Sequence, residues 1–166
     1  METNYSTINI TDMDREQLRD LLQMNIDSRD GFAYAGERLA EKHSSLSNRF
    51  HRYSQQRNDF CEKLKEIEEM NHETPTMRGT IAASLHRTWM ELRDELNEAV
   101  DVSAVVAEAR RGEIYIKEAY EAAIDKVVEP RLRALLNSQF ESVKESYAWL
   151  DGMYEADEKQ KSGHKT

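Results

Sequence analysis

The stretch that decides the fold is residues 107–120, which read AEARRGEIYIKEAY. Glu113 stands in the middle of this stretch, on the same helical face as Ala109, Ile116 and Tyr120, because these positions recur at intervals of three and four residues. A carboxylate on an apolar helix face is costly to bury unless it is paired or binds a metal. The groups that surround Glu113 therefore decide whether the chain binds a metal or only folds.

Outward from this stretch, the same spacing of apolar residues predicts further helices. The first is capped at Thr11, with Asp14 as the acid of a capping-box variant, and runs to about Lys42. The others are predicted at about 46–70, at about 80–96, from Asp101 or Ser103 onward, and from Pro130 to about Tyr154.

These elements predict an all-α fold, a ferritin-like antiparallel four-helix bundle with an extra helix in the crossover between its second and third helices. Two helical hairpins joined by a long crossover are typical of that arrangement. Residues 1–10 are expected to be a disordered N-terminus, 11–156 a single helical-bundle domain, and 157–166 a disordered C-terminal tail, since both ends are polar or charged.

Composition excludes several classes of function. The chain has 166 residues and a net charge of −9, which repels nucleic acid and anionic membranes. Its single cysteine, Cys61, cannot form an internal disulfide. No apolar run is long enough to cross a membrane, and the N-terminus does not read as a secretion signal, so a cytoplasmic location is expected.

Polar residues interrupt the predicted inner faces at corresponding depths. Asn25 and Arg29 lie on the first helix, Arg57 on the second and Gln139 on the last. We expect Arg57, together with Arg29, to pair with Glu113 in the core, because an Arg–carboxylate pair offsets most of the cost of burying either charge. Asn25, Gln139 and Tyr120 are expected to complete this buried polar network.

Several motifs resemble a bacterial family of ferritin-like four-helix-bundle proteins of unknown function. They are Leu85-His86-Arg87-Thr88-Trp89 within the segment 79–89, Arg111-Gly112-Glu113, the segment 53–57, and the segment 27–37 that contains Gly31-Phe32. The resemblance covers about residues 15–155 and implies a cytosolic bacterial protein, sometimes stress-associated, with no established activity. The chain has Tyr147 where the last helix of that family usually carries a His.

A ferritin-like metal site needs a Glu from each of two helices and a Glu-x-x-His from each of the other two. Of these ligands only Glu113 is present at the expected depth, and the lone Glu-x-x-His, residues 69–72, lies at the end of the second helix. We therefore expect no cofactor and no metal, and regard Glu113 as the remnant of a metal site.

His86 and Trp89 lie one turn apart on the crossover helix, and two interpretations are open. The first is packing of that helix on the bundle; the second is a site for a small molecule or a protein partner. No catalytic triad order or phosphate-binding loop is present, and no enzymatic activity is expected.

Three hypotheses on function follow. The first is a non-enzymatic, metal-free bundle in stress physiology that acts by binding, as a homodimer or with a protein partner. The second is a metal-binding or redox protein with a degenerate site around Glu113. The third is a ligand carrier that uses the interior near His86 and Trp89.

Overall fold

The computed structural model describes residues 8, 10–69, 80–98 and 100–163, and all regular structure in these ranges is helical. The helices are α1 (Asp12–Leu39), α2 (Ser44–Glu69), α3 (Thr80–Glu98), α4 (Val102–Lys126) and α5 (Pro130–Gly163). The expectation of an all-α fold is confirmed. The segment between the second and third predicted helices, and part of the Glu-x-x-His at residues 69–72, lie outside the described residues.

Two antiparallel hairpins form the core of the structure. In the first, the Ser54 hydroxyl of α2 donates to the Arg29 carbonyl of α1, and Ser47 donates to the Gly36 carbonyl nearer the turn. In the second, Tyr120 of α4 contacts Gln139 of α5 by a hydrogen bond. The hairpins meet where α1 packs against α4, so apolar faces from all four helices share one core.

Helix α3 covers the junction of the two hairpins by packing against both α1 and α4. It runs in the same direction as α1, since Trp89 lies against Gly31 and, further along both helices, the Arg38 guanidinium donates to the Leu96 carbonyl at 3.1 Å. It therefore carries the chain back along the outside of the core before α4 begins.

Polar side chains start the helices where the sequence predicts it. The Thr11 hydroxyl accepts from the Asp14 amide at 3.1 Å, which confirms Thr11 as the cap of α1. Asp101 caps α4 by accepting from the amides of Ser103 and Ala104. Asp14 is buried, and its carboxylate accepts from the Val128 amide, so it ties the start of α1 to the turn before α5.

Two expectations about the chain ends differ from the structure. Ile8, within the segment expected to be disordered, is buried in the core because its side chain covers apolar surface that would otherwise face water. Helix α5 continues to Gly163, well beyond Tyr154, because strong helix formers persist and ion pairs such as Lys161–Asp157 (3.0 Å) support its last turns.

None of the helices in the described ranges combines the length and apolar character that a membrane span needs.

The packing of α3 on α1 depends on the absence of a side chain at Gly31. A Cβ there would lie 2.2 Å from the Trp89 ring, which is itself buried. We predict that Gly31→Ala destabilises the protein by about 1–3 kcal/mol, because the ring has no free space to enter. The measurement is urea unfolding followed by circular dichroism at 222 nm.

Gly152→Ala is the matched control, since a Cβ at this exposed position of α5 meets nothing within 4 Å. We expect it to stabilise the helix by about 0.5–1 kcal/mol through helix propensity alone. Equal effects of the two substitutions would contradict the tight contact at Gly31.

Candidate functional site

The Arg57–Glu113 ion pair lies at the centre of the helical core. The Arg57 Nη2 atom is 2.7 Å from Glu113 Oε2, and both side chains are 0% exposed. Sequence places both there, because each occupies the inner position of a helix that is apolar above and below it. Two charges removed from water in this way are tolerable only because each neutralises the other.

Ser146 of α5 bonds to both Arg57 and Glu113, and these three residues form the first polar rung of the core. Its hydroxyl donates to Glu113 Oε2 and accepts from Arg57 Nη2 at 2.8 Å. The rung therefore joins α2, α4 and α5 through one carboxylate oxygen. Ser146 is not among the residues that the sequence predicts for the network.

A second rung, formed by Asn25, Tyr120 and Gln139, joins α1, α4 and α5. The Tyr120 hydroxyl accepts from Asn25 Nδ2 at 2.8 Å and donates to Gln139 Oε1 at 2.8 Å. Complete burial raises the pKa of the Tyr120 phenol above its ordinary value. The hydroxyl thus stays protonated near neutral pH and can donate and accept at once.

The two rungs follow from one register between α4 and α5. Glu113 and Tyr120 are seven residues apart on α4, as are Ser146 and Gln139 on α5. Seven residues are about two helical turns, so both pairs face the same neighbour. This repeat was the available signal for Ser146: pairing Tyr120 with Gln139 places Ser146 opposite Glu113.

Arg29 lies outside the network in which it was expected. Its Nε donates to Asp30 Oδ1 at 2.9 Å and its Nη1 to Asn58 Oδ1 at 3.2 Å, and its side chain is 30% exposed. The neighbouring Ser28 takes the fully buried position instead. A long guanidinium side chain at the edge of a helix face reaches water more readily than the core, which accounts for the difference.

His86 and Trp89 do not come together in one site. Trp89 is buried between two glycines, with its ring against the positions a Cβ would take on Gly31 and Gly112. It also makes an edge contact with Phe32. Segments that carry the family resemblance thus meet around one indole ring, where they pack α3 onto α1 and α4.

His86 lies at the surface, one turn of α3 before the buried Trp89 ring. Its Nδ1 is 3.2 Å from Asp27 Oδ2, and its side chain is 41% exposed. The contact links α3 to α1 and gives His86 a polar partner. This geometry corresponds to the packing interpretation of the pair, with Trp89 closed off from any ligand.

The donors around Glu113 do not fit a ferritin-type metal centre. Glu113 is the sole carboxylate of the two rungs, and a guanidinium occupies the position from which a cation would approach Oε2. Among the described residues, no group of three or more His, Cys, Asp or Glu side chains is arranged to hold a metal ion. The Tyr120 hydroxyl and Gln139 Oε1 are already bonded to each other, and Asn25 Oδ1 alone cannot replace several carboxylates.

Cys61 lies buried at the edge of the same core. Burial raises the pKa of its thiol to about 11, so at neutral pH it is a thiol and not a reactive thiolate. It contributes packing and no nucleophile.

These features define an all-helical protein whose core is crossed by a buried Arg–Glu pair and a second polar rung. A family model described as "Domain of unknown function (DUF2383)" matches residues 14–126, from α1 to the end of α4. The chain belongs to this family. No curated protein matches the chain, and no solved structure does.

We predict that Arg57→Met destabilises the protein by about 3–5 kcal/mol, because it leaves the Glu113 carboxylate buried without a counter-charge. The double variant Arg57→Met/Glu113→Leu should recover most of this loss, since apolar side chains of similar volume pack without desolvated charge. Chemical unfolding of the single and double variants gives the coupling energy.

Arg111→Met is the control, because Arg111 makes the same kind of pair at the surface, with Glu91 at 3.3 Å. It should change the free energy of unfolding by only about 0–1 kcal/mol. An equally small change in the free energy of unfolding for Arg57→Met and Arg111→Met, together with no change for Glu113→Gln, would contradict a stability contribution from the buried pair.

Proposed function

We propose that the protein is a ferritin-like helical bundle that has exchanged a metal centre for an internal ion pair and acts by binding, not by catalysis. The observation that carries the proposal is the 2.7 Å contact between Arg57 and Glu113, both fully buried. A guanidinium supplies within the core the positive charge that a metal ion supplies to clustered carboxylates.

Helix directions support the ferritin-like part of the proposal. The helices α1 and α2 form one antiparallel hairpin, α4 and α5 form another, and α3 returns the chain between them. A long crossover between two hairpins is the feature that separates ferritin-like bundles from simple up-and-down bundles.

The family resemblance adds a setting to this proposal: a bacterial, cytoplasmic protein that takes part in stress physiology. In that setting the bundle binds a second copy of itself or a protein partner. Proteins that act in this way need a rigid scaffold, and two polar rungs that each join three helices provide it.

A degenerate metal or redox site around Glu113 is the second candidate function. It is favoured by one observation: within the part of the chain that the structure describes, Glu113 Oε1 and Asn25 Oδ1 are buried and accept no hydrogen bond. Two buried acceptors without donors are the atoms at which a cation would be stabilised.

Metal analysis separates the two candidates. Protein purified without chelators and analysed by inductively coupled plasma mass spectrometry should contain iron and manganese at well below one ion per chain, because Arg57 already neutralises Glu113. Near-stoichiometric iron or manganese that disappears in both Glu113→Ala and the isosteric Glu113→Gln would overturn the metal-free proposal.

Sedimentation equilibrium over a wide concentration range tests self-association. We expect an average mass above that of the single chain, 19.4 kDa, that rises with concentration. A mass of one chain at every concentration would contradict the homodimer and leave a different protein as the partner.

A further inference from the structure

A cavity of about 600 Å³ opens at the end of the core where three distant segments meet. Its walls come from the turn between α1 and α2 together with the first turns of α2, from the start of α4 at Val102, and from α5 at Trp149 and Met153. The volume lies within the range of small-molecule sites. The two polar rungs contribute no residue to it.

One side of the cavity is basic. Lys42, His43, Arg49 and Arg52 line it, and no acidic residue does. Within the described ranges, Lys42, Arg49 and Arg52 form no ion pair with a carboxylate. In a chain of net charge −9, several cations that lack a carboxylate partner around one concave surface favour an anion.

Two of the carboxylates near this cavity along the chain have other partners. Asp101, next to Val102, accepts from the amides at the start of α4. Asp157, one turn beyond Met153, pairs with Lys161 at 3.0 Å. The basic side of the cavity is therefore not neutralised by these two acids.

Another part of the lining is apolar and aromatic. Leu46, Val102, Trp149 and Met153 form it. The Arg49 guanidinium lies over the Trp149 ring, 4.5 Å from its centroid, so a cation and an aromatic surface are held together at one point. A ligand in the cavity therefore meets positive charge next to apolar and aromatic surface.

We propose that this cavity binds a small phosphorylated ligand that carries a flat ring, the chemical class of nucleotides. The phosphates lie against Lys42, Arg49 and Arg52, with the N-terminal end of α2 adding partial positive charge. The ring lies against Trp149 and Met153. This site is independent of the ion pair at Glu113 and goes beyond the proposed binding of a protein partner.

The charge of the whole chain limits the size of the ligand. At physiological ionic strength a charge acts over roughly 8 Å, so a ligand enclosed by the cavity responds mainly to the local cations. A long polyanion would extend over the acidic remainder of the surface and be repelled. The site accordingly selects a small phosphorylated molecule over a nucleic acid strand.

Isothermal titration calorimetry with ATP, tripolyphosphate and adenosine at physiological salt tests the proposal. We expect one ATP per chain, weaker binding of tripolyphosphate, which lacks the ring, and the weakest binding of adenosine, which lacks the phosphates. The variant Lys42→Gln/Arg52→Gln should bind ATP about tenfold more weakly, because two exposed cations that contact phosphate are lost.

Lys63→Gln/Lys65→Gln is the matched control. It removes two exposed positive charges from α2, the helix that carries Arg52, at positions that do not line the cavity. It should change ATP affinity by less than about twofold, since these charges act only through screened long-range attraction. Circular dichroism checks that both double variants keep their helix content.

Three results would overturn the proposal. One is the absence of binding heat with both ATP and tripolyphosphate up to millimolar concentration. Another is an equal loss of affinity in the two double variants, which would indicate non-specific attraction. The third is binding of tripolyphosphate at least as tight as that of ATP. This result would show that the ring of ATP makes no favourable contact with the apolar residues of the cavity.

Discussion

The buried contact between Arg57 and Glu113 is the constraint on which the arrangement of the helices depends. Charges that have lost their hydration tolerate few geometries, so α2 and α4 must present these two side chains at the same depth. Ser146 extends the requirement to α5, because its hydroxyl bonds to both partners. A shift of one residue along any of the three helices turns its side chain by about 100° and breaks the rung. The pair therefore specifies register more than it adds net stability.

A second constraint is steric and fixes the remaining helix. The Trp89 ring occupies the space that side chains at Gly31 and Gly112 would need, so α3 can sit on α1 and α4 at one height only. The rung of Asn25, Tyr120 and Gln139 holds α1 to the second hairpin in the same way. Hydrogen bonds fix the contacts among α1, α2, α4 and α5, and the packing of the Trp89 ring fixes α3. The two constraints act on neighbouring residues of α4, Glu113 and Gly112.

The sequence was sufficient where a single helix decides the outcome. Its spacing of apolar residues predicts the helices and the inward positions of Asn25, Arg57, Glu113 and Gln139, because a side chain's direction depends only on its place in its own helix. The sequence is not sufficient where the direction of a side chain depends on the packing of a neighbouring helix. Ser28 and Arg29 are adjacent in α1, and the packing of α2 decides which of them faces inward. The sequence does not predict the helical end of α5, because its composition is polar. A polar segment cannot form a buried core, but it can still form an exposed helix.

The basic cavity could not have been found in the sequence for a related reason. Its cations lie within residues 42–52, where they read as an ordinary solvated face, and its aromatic side comes about a hundred residues later at Trp149. Their meeting depends on the register of α2 and α5, which the contact between Arg57 and Ser146 sets. In this way the internal ion pair and the surface cavity are linked: the polar groups that join the helices inside the core also fix the helix ends between which the cavity lies. The site proposed for a small phosphorylated ligand accordingly lies at the ends of the helices, away from the ion pair.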